Sequence, residues 1–521
     1  MILINSANFI VSDLQADFGK IPPAFIPLGS KRLYEAQASL IKRSLPNEEI
    51  FLSLPVEYEI SQSDLDALKV LEISVLQNAS ELSLKESIRC SLRKIPQNLG
   101  PIRILHGDTL FAVLPQELDV INESKPNSYQ SWFSESTESN GEIVWSGYFA
   151  FSDFMLLSKA LNEGKDFETS ILCYDESLPM IRNFAITWLD LGHSSTYYLT
   201  RQNHLITRDF NSLLYKNGIL TKCGNTMKID AEVYWYRNIP LPLRKYLPQL
   251  FSTDQNGETS AYSMEYLPIP ALSEILVFGN QSTPFWEEIF FLLGEFLEKC
   301  RNDESNNLNS LHNLEFMASL ILHVSERLNL IDSSDCPISQ DDKIVVNDAE
   351  AISVREIALI CLKIINKGNV IPSVVHGDLC LGNVLFESRM NQIRLIDPRG
   401  RNFEGSKTIY GDQRYDLAKL AHSFIGHYDS IIAEYFYLKQ SKRDEKWILE
   451  FKINCPDSAR RFEDLFYEKF LKNQPHRDDV IAMMIILFIT MSPLHSEDSK
   501  RQLAFLSNSI SLYYQYFGSA S

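Results

Sequence analysis

The 521-residue chain lacks the surplus of basic residues that nucleic-acid-binding proteins carry. It has 67 acidic and 49 basic side chains and a formal net charge of −18. Because no surplus of cations exists to neutralise phosphates, this charge argues against nucleic-acid binding and against docking on an anionic membrane. Its eight cysteines form no CxxC pair and no cluster with histidine. This scatter is typical of reduced thiols and excludes a disulfide framework or a zinc site.

Long apolar runs and repeats are also missing. The most apolar run, 480–491, is too short to cross a bilayer and predicts a buried helix. No positive charge precedes the apolar residues at the N-terminus, so no secretory signal is predicted. We therefore expect a cytoplasmic protein without membrane insertion. The length and a hydrophobic content of 45% predict two or three well-packed domains.

The most informative stretch consists of two apolar strand-like runs, 374–377 and 393–397, around a polar loop. Asp378 lies in this loop, Asn383 follows five residues later, and Asp397 closes the second run. Phosphoryl transfer from a nucleotide needs a carboxylate to orient the attacking hydroxyl, and oxygen ligands to hold magnesium on the phosphates. Asp378 fits the first role, and Asn383 and Asp397 fit the second.

The pattern HGDxxxxN, followed by hydrophobic residues and Asp, resembles the aminoglycoside phosphotransferase and choline kinase family. Gly377 stands where protein kinases carry Arg. The resemblance implies an α+β, protein-kinase-like, two-lobed domain over 201–521, with a small lobe at about 201–275 and a helical lobe at about 276–521. It also implies Mg²⁺ as the cofactor, and ATP or GTP as the phosphoryl donor.

The small lobe should supply a lysine for the nucleotide phosphates. Asn217-Gly218 predicts a hairpin turn, and Lys222 lies on the strand that follows it. The next predicted helix, 231–236, carries Glu232. The resemblance implies that Lys222 binds the α- and β-phosphates and that Glu232 positions it through an ion pair. Lys228 is the competing lysine, placed near the start of the helix.

No GxGxxG pattern is present to cover the phosphates. The sequence predicts strands at 204–208 and 212–215 around a tight loop, and groups near Asn211 and Ser212 are the predicted nucleotide-binding substitutes. The adenine would meet the backbone of 264–267, at the hinge between the lobes.

Segment 410–420 resembles the helix that these kinases pack beneath the catalytic loop. Asp416 is predicted to accept hydrogen bonds from the backbone of that loop, with His376 as further structural support. For Arg399 two roles stay open, a contact to substrate or phosphate and an ordinary ion pair. No long activation segment follows Asp397, which favours a small-molecule substrate over a protein.

Residues 1–200 alternate strand-like and helical runs, the pattern of an α/β domain. Asp108 and Asp190 each follow an apolar strand, where such folds place ligand-binding groups. Two carboxylates of this kind can share a divalent metal that carries a nucleotide. The alternative for each is a strand-end Asp that caps a turn or helix.

Three segments, 21–33, GDT at 107–109 and WLDLGH at 188–193, resemble the sugar-phosphate nucleotidyltransferases. That family has a GT-A-type, Rossmann-like mixed sheet, and the resemblance implies that Asp108 and Asp190 bind metal with CTP or another NTP.

The chain departs from that family at two positions. Residues 6–11 stand where its glycine-rich loop belongs, and Pro23 stands where it has a lysine for the substrate phosphate. A loop without glycine approaches a triphosphate less closely. An active transferase and a degenerate binding or scaffolding domain therefore remain alternatives for the N-terminal domain.

Three further expectations concern secondary structure. Residues 121–142 predict a polar surface excursion, and 184–189 predict a single strand. From about residue 283 onward, the sequence predicts mainly helices around the catalytic hairpin.

Together these features predict a fusion of a nucleotidyltransferase-like domain with a small-molecule kinase. The kinase would phosphorylate a hydroxyl of a sugar, amino alcohol or related metabolite. By analogy with the domain pairing, the product would be activated with a nucleotide for capsule polysaccharide or lipid head-group synthesis. The alternatives are nucleotidyl transfer as the main activity, or a nucleotide-binding scaffold.

Overall fold

The computed structural model describes residues 1–96, 100–125, 133, 143–203, 211–256, 259–302, 313–334, 336–455 and 457–518. The chain forms two compact units. The first comprises Met1–Ile206 with Phe278–Asn280, and the second comprises Thr207–Val277 with Gln281–Ser521. The sequence predicts the domain change between residues 200 and 201.

The first unit is built on a mixed β-sheet. Its strands are β1 (Ile2–Asn5), β2 (Pro27–Leu28), β3 (Lys31–Arg32), β4 (Ile50–Pro55), β5 (Ile73–Asn78), β6 (Ile102–His106), β7 (Thr109–Phe111), β8 (Val120–Ser124), β9 (Val144–Phe151), β10 (Ile181–Phe184) and β11 (Trp188–Asp190). Seven of them form one sheet in the order β10-β8-β9-β6-β1-β4-β5. β1 runs parallel to β4 and β6, whereas β9 is antiparallel to β6 and β8.

The helices of this unit are α1 (Ser12–Phe18), α2 (Leu33–Ser44), α3 (Gln62–Val70), α4 (Leu84–Lys94), α5 (Phe154–Glu163), α6 (Phe167–Ser177) and α7 (Ser194–Asn203). Side-chain caps fix several starts: Ser83 accepts from the backbone N–H of Glu86 at α4, and Asp166 accepts from that of Thr169 at α6. A core of buried residues joins the sheet to α4, α5 and α6.

One sequence expectation for this unit is wrong, and another is wrong at its start. The surface excursion predicted for 121–142 begins inside β8, where Asn122 is fully buried and its Oδ1 accepts from Asn183. A polar side chain can occupy an inner strand when the neighbouring strand supplies a hydrogen-bond partner, and its polarity then makes the strand look like surface in the sequence. The single strand at 184–189 is two strands, β10 and β11, in different sheets. Most of 126–142 lies outside the described residues.

The second unit begins with a small antiparallel sheet. Its strands, β12 (Asn211–Lys216), β13 (Ile219–Asn225), β14 (Leu250–Asn256) and β15 (Thr259–Glu265), follow the order β12-β13-β15-β14. Asn217 and Gly218 both have positive φ, 50° and 80°, as the tight turn between β12 and β13 requires. The predicted strand at 204–208 lies outside the described residues.

One helix packs on this sheet. α8 (Thr226–Asn238) starts directly after β13, and Asn225 caps it by accepting from the N–H groups of Met227 and Lys228. This connection places Lys222 on the strand and Glu232 on the adjoining helix.

The rest of the second unit is mainly helical. Its helices are α9 (Leu272–Phe278), α10 (Thr283–Arg301), α11 (Asn313–Asp332), α12 (Val354–Ile365), α13 (Gln413–Phe424), α14 (Tyr428–Ile432), α15 (Asp457–Phe466), α16 (Arg477–Met491) and α17 (Ser499–Phe517). One stretch, 477–495, is long and apolar enough to span a membrane by length and composition, and 78% of its most apolar window is buried in the structure. The predicted buried helix at 480–491 falls within it.

The remaining strands are β16 (Ile344–Val346), β17 (Pro372–Val374), β18 (Val384–Glu387), β19 (Gln392–Leu395), β20 (Tyr410–Asp412), β21 (Phe436–Arg443) and β22 (Lys446–Ile453). The sequence analysis missed the three-stranded sheet β16-β22-β21. β21 is largely exposed and ends in the polar run 439–443, so it carries little of the apolar alternation that predicts a strand. β22 does alternate, at Leu449, Phe451 and Ile453, and the signal was overlooked.

Candidate active site

The catalytic stretch forms a loop between two short sheets. β17 pairs with β20, and β18 pairs with β19. The N–H of Ile396 donates to the carbonyl of Asn383 at 3.0 Å, and the N–H of Arg399 donates to the carbonyl of His376 at 2.8 Å. These bonds bring the loop after β17 and the residues after β19 side by side, with Asp397 between the two contacts.

Asp378 is held by a lysine that the sequence analysis did not identify. Lys419 Nζ lies 2.8 Å from Asp378 Oδ1, and the Lys419 side chain is buried while that of Asp378 is 42% exposed. Desolvation acts to lower the pKa of Lys419, but Asp378, together with Tyr415 and Cys380, outweighs it, and the pKa is raised. The pair therefore fixes a solvent-accessible carboxylate against a buried cation.

Asn383 is tied to the same carboxylate. Its Nδ2 donates to the backbone carbonyl of Asp378 at 2.9 Å and to Oδ2 of Asp378 at 3.2 Å. The amide nitrogen is thus turned toward Asp378, which leaves Oδ1 as the oxygen available to a cation.

Lys222 connects the small sheet with the loop after β19. Its Nζ lies 2.8 Å from Oε2 of Glu232 and 2.9 Å from Oδ1 of Asp397. Lys222 and Glu232 are almost fully buried, and the hydroxyl of Tyr262 donates to the same oxygen of Glu232 at 2.9 Å. Burial alone would lower the pKa of Lys222, but Asp397 and Glu232 together raise it. The lysine stays charged at the point where phosphates would meet Asp397.

Asp397 adopts a left-handed backbone conformation, with φ of 57°. Such a conformation is uncommon for residues other than glycine, although Asp tolerates it better than most. This turn carries the chain from β19 past Lys222 and on to Arg399.

Asp416, in the first turn of α13, supports the catalytic loop from below. Its two oxygens accept the backbone N–H groups of His376 at 2.7 Å and Gly377 at 2.8 Å. Burial raises the pKa of Asp416 to about 7, against the opposing effect of those two donors. Burial likewise lowers the pKa of His376 to about 4, and its neutral ring packs edge-on against Trp235 of α8 at 5.5 Å. Both residues act on the shape of the loop.

The predicted phosphate-covering groups lie at the start of β12. In the strand register Asn211 faces Gly224, Ser212 faces Cys223, and Leu213 faces Lys222. Since neighbouring side chains on a strand point to opposite faces, Ser212 points away from the face that Lys222 shares with Leu213. The backbone of Ser212, rather than its hydroxyl, is therefore the group that could bind a phosphate on the Lys222 face. The side chain of Asn211 lies outside the described part of the chain.

The residues present fit a magnesium ion that is shared with a nucleotide. Asp397 and Asn383 offer a carboxylate and an amide oxygen, the hard ligands that Mg²⁺ prefers. Among the described residues no group of three or more His, Cys, Asp and Glu is arranged to hold a metal. An ion at Asp397 and Asn383 would therefore take its other ligands from phosphates and water, as is usual in phosphotransferases.

The first unit brings its two predicted metal carboxylates together. A Cβ added to Gly192 would lie 2.4 Å from Asp108 Oδ2 and 3.3 Å from Asp190 Oδ1, so both carboxylates border this glycine. Burial and the nearby Asp190 raise the pKa of Asp108. Asp190 also accepts from His193 and Thr196, each at 2.8 Å, and His193 is a residue that the sequence analysis did not assign.

The segment in place of the glycine-rich loop is tied into the fold. The N–H of Ser6 donates to Ser53, that of Phe9 to the side chain of Asn8, and that of Ile10 to the carbonyl of Ile21. Ala7 and Ile10 are buried, and the hydroxyl of Ser6 accepts from the backbone of Ala24. Three of the backbone donors that a phosphate-binding loop would present are therefore already used.

Comparisons with known proteins give structural likenesses only. No protein-family model matches the chain, and no curated protein matches it. The nucleoside-diphosphate-sugar pyrophosphorylase from Vibrio cholerae RC9 is similar over 39% of this chain and 100% of its own, with 12% identity and a TM-score of 0.32. HddC from Yersinia pseudotuberculosis is similar over 39% of this chain and 98% of its own, with 16% identity and a TM-score of 0.29.

A larger region, 57% of this chain, is similar to 99% of an aminoglycoside-3'-phosphotransferase of type VIII, with 11% identity and a TM-score of 0.32. The nucleotidyltransferase likenesses fall on the N-terminal part of the chain. These are the same two families that the sequence motifs resemble. Because the TM-scores are low, the function proposed below depends on side-chain geometry.

Proposed function

We propose that the second unit is a magnesium-dependent small-molecule kinase that transfers the γ-phosphoryl group of ATP or GTP to an alcohol. The observation that carries the proposal is the set of ion pairs and hydrogen bonds around the catalytic loop. Glu232 holds Lys222, Lys222 contacts Asp397, and Asn383 bonds to Asp378. A phosphoryl-transfer site needs these functions next to one another.

In the proposed reaction, the acceptor hydroxyl donates a hydrogen bond to Asp378 and attacks the γ-phosphorus. The new O–P bond forms as the bond from the γ-phosphorus to the β–γ bridging oxygen breaks, and the hydroxyl proton passes to Asp378. Lys222 neutralises the phosphates, and bound Mg²⁺ would add charge stabilisation from Asn383 and Asp397. Lys419 keeps Asp378 in position through their ion pair.

The test is nucleotide turnover with Mg²⁺ over a panel of sugars, amino alcohols and hydroxy acids, comparing wild type with Asp378→Asn. The change preserves shape and removes the base, so the rate should fall roughly 10²–10⁴-fold. Exposed Asp444→Asn, on the turn between β21 and β22, is the matched control and should keep wild-type turnover. An Asp378→Asn enzyme as fast as wild type would refute the assignment.

A second candidate function belongs to the first unit, where Asp108 and Asp190 border the same glycine. We infer a divalent-cation site there that supports either nucleotidyl transfer with CTP or another NTP, or nucleotide binding alone. The occupied donors of Ser6, Phe9 and Ile10 favour binding over transfer. Pyrophosphate release from CTP or another NTP that disappears in Asp108→Asn would favour transfer.

We further propose that the protein works in the cytoplasm on soluble metabolites. If both units are active, a phosphorylated product of one could be coupled to a nucleotide by the other. Capsule polysaccharide or lipid head-group synthesis is the setting suggested by that order, and only the domain pairing supports it.

A further inference from the structure

Arg399 leaves the main chain directly beside the catalytic loop. Its N–H donates to the carbonyl of His376, and a Cβ added to Gly377 would lie 2.7 Å from the Cβ of Arg399. Its guanidinium group stacks over the ring of Phe403 at 4.3 Å and over that of Tyr415 at 5.8 Å. Nη1 also lies 3.5 Å from the hydroxyl of Tyr415. The side chain is thus held on an aromatic platform beside Gly377, the residue before Asp378, and two roles were left open for it in the sequence analysis.

Two further arginines belong to the same region. Burial and the charge of Arg399 hold the pKa of Arg327, on α11, below its ordinary value, and Arg401 also contributes. Burial and Arg399 lower the pKa of Arg401 in the same way. The ring of His323, one turn before Arg327, packs on Phe403 at 4.9 Å. The charge of Arg399 thus reaches two further half-buried guanidinium groups.

These cations have no close counter-ion. In the described part of the chain no carboxylate oxygen lies within 4.0 Å of Arg327, Arg399 or Arg401, although Glu326 acts on Arg327 and Glu232 acts on Arg401 at longer range. The nearby acids are committed elsewhere: Glu232 to Lys222, Asp378 to Lys419, and Glu404 to the hydroxyl of Ser319. The catalytic loop is thus bordered by unbalanced positive charge within a chain whose net charge is −18.

Packing on aromatic rings explains Arg399 by itself, because such stacking stabilises a cation. It does not explain why two more arginines gather around it, since like charges that are partly removed from water repel one another. Planar guanidinium groups bind carboxylates and phosphates in a bidentate manner. A cationic acceptor, such as an aminoglycoside or choline, would be repelled from this position.

We propose that the acceptor of the kinase carries an oxyanion, a phosphate or a carboxylate, which binds Arg399 and Arg327 while its hydroxyl meets Asp378. The inference rests on the proposed kinase function and narrows its substrate to sugar phosphates, hydroxy acids and similar anions. Amino alcohols without an acidic group are then excluded as acceptors.

The first test measures binding without requiring turnover. Inorganic phosphate is titrated by calorimetry into the full-length protein saturated with Mg²⁺ and a non-hydrolysable ATP analogue. Wild type and exposed Arg443→Gln should bind phosphate equally, whereas Arg399→Gln and Arg327→Gln should each bind roughly tenfold to hundredfold more weakly. Equal binding by all four proteins, or none by wild type, would overturn the proposal. If Arg399→Gln fails to fold because it loses the stacking on Phe403 and Tyr415, Arg327→Gln still tests the proposal.

The second test measures turnover with matched acceptors: glycerol, glycerol 3-phosphate and glycerate, and glucose with glucose 6-phosphate and gluconate. Turnover should be confined to the anionic members, and the better of the phosphate and carboxylate arms identifies the group that is recognised. In Arg327→Gln the KM for the acceptor should rise while the KM for ATP stays unchanged. Asp378-dependent turnover of the neutral alcohols alone would leave the kinase proposal standing and refute the anionic acceptor. Phosphate binding that depends on Arg327, with no turnover of any acceptor, would support an anion site at these arginines and refute the kinase proposal.

Discussion

Lys419 of α13 and Asp378 of the catalytic loop form an ion pair of 2.8 Å in which the cation is buried and the carboxylate faces solvent. Three residues earlier on the same helix, Asp416 accepts two backbone N–H groups of that loop. Positions i and i+3 lie on one face of a helix. One face of α13 therefore holds both the backbone of the loop and its reactive side chain.

Replacing Lys419 with Met should impair catalysis more than folding. The loss leaves Asp378 in contact with water, and removing a buried charge avoids its desolvation cost. We expect kcat to fall roughly 10–100-fold. The acid limb of the pH–rate profile should move to higher pH, because a carboxylate that loses its cationic neighbour takes up a proton more readily. Steady-state kinetics from pH 5 to 9 measures both effects, with exposed Lys446→Met as the control. An unshifted pH profile would mean that Lys419 is only a packing residue.

Glu232→Gln should weaken nucleotide binding. The variant keeps the shape of the side chain but leaves Lys222 with Asp397 as its remaining carboxylate partner. Lys222 would then be drawn toward Asp397 and away from the phosphates. A charge-assisted hydrogen bond is worth about 1.5–3 kcal/mol, so we expect the KM for ATP to rise roughly tenfold to hundredfold. The matched variant Glu287→Gln, on the exposed face of α10, should leave it unchanged. An unaltered KM in Glu232→Gln would contradict the positioning role.

Gly400→Ala should disturb the ion pair of Lys222 and Glu232 by displacing the helix that carries Glu232. Gly400 has φ of 63°, and an added Cβ would lie 1.9 Å from the backbone oxygen of Ala231, the residue before Glu232. Gly405, with φ of 91° and open space around it, is the control for backbone strain alone. Both changes should cost about 1–2 kcal/mol through strain. Only Gly400→Ala should displace α8 and raise the KM for ATP. Identical kinetics of the two variants would show that the close approach has no bearing on nucleotide binding.

Asp108→Asn should stabilise the first unit when divalent ions are absent. Burial and Asp190 raise the pKa of Asp108, so its ionised form is unfavourable in the fold, and the stability it contributes at low pH is lost as the pH rises through that raised value. At pH 7.5 with EDTA we expect the melting temperature to rise by about 2–4 °C, the change that about 1 kcal/mol produces in a domain of this size.

Added Mn²⁺ should raise the melting temperature of wild type but not of Asp108→Asn, because binding to the folded state alone stabilises it. Exposed Asp66→Asn on α3 is the control and should keep the response to Mn²⁺. If neither Mn²⁺ nor the Asp108→Asn substitution changes the melting temperature, Asp108 and Asp190 are turn-capping residues.

Local sequence determined much of this protein. The turn at Asn217-Gly218 and the strand that carries Lys222 follow from periodicity and turn chemistry, which act over a few residues. The order and spacing of Asp378, Asn383 and Asp397 likewise predicted the chemistry, since the loop between two strands is short. β8 and β21 were missed because their polar residues hide the strand pattern, whereas β22 shows the pattern and was overlooked.

Apart from the ion pair of Lys222 with Glu232, which the family resemblance implied, only the tertiary structure decided which charges meet. Lys419 could have been suspected from its spacing to Asp416, but nothing local indicates that its ammonium group reaches Asp378. Arg327 and Arg399 lie far apart in the chain, and only the packing of α11 beside the segment after β19 makes them neighbours. The sequence thus predicts the phosphoryl transfer that we propose for this site. The charge of the proposed acceptor is inferred from long-range packing, because electrostatic interactions depend on distance and burial rather than on position along the chain.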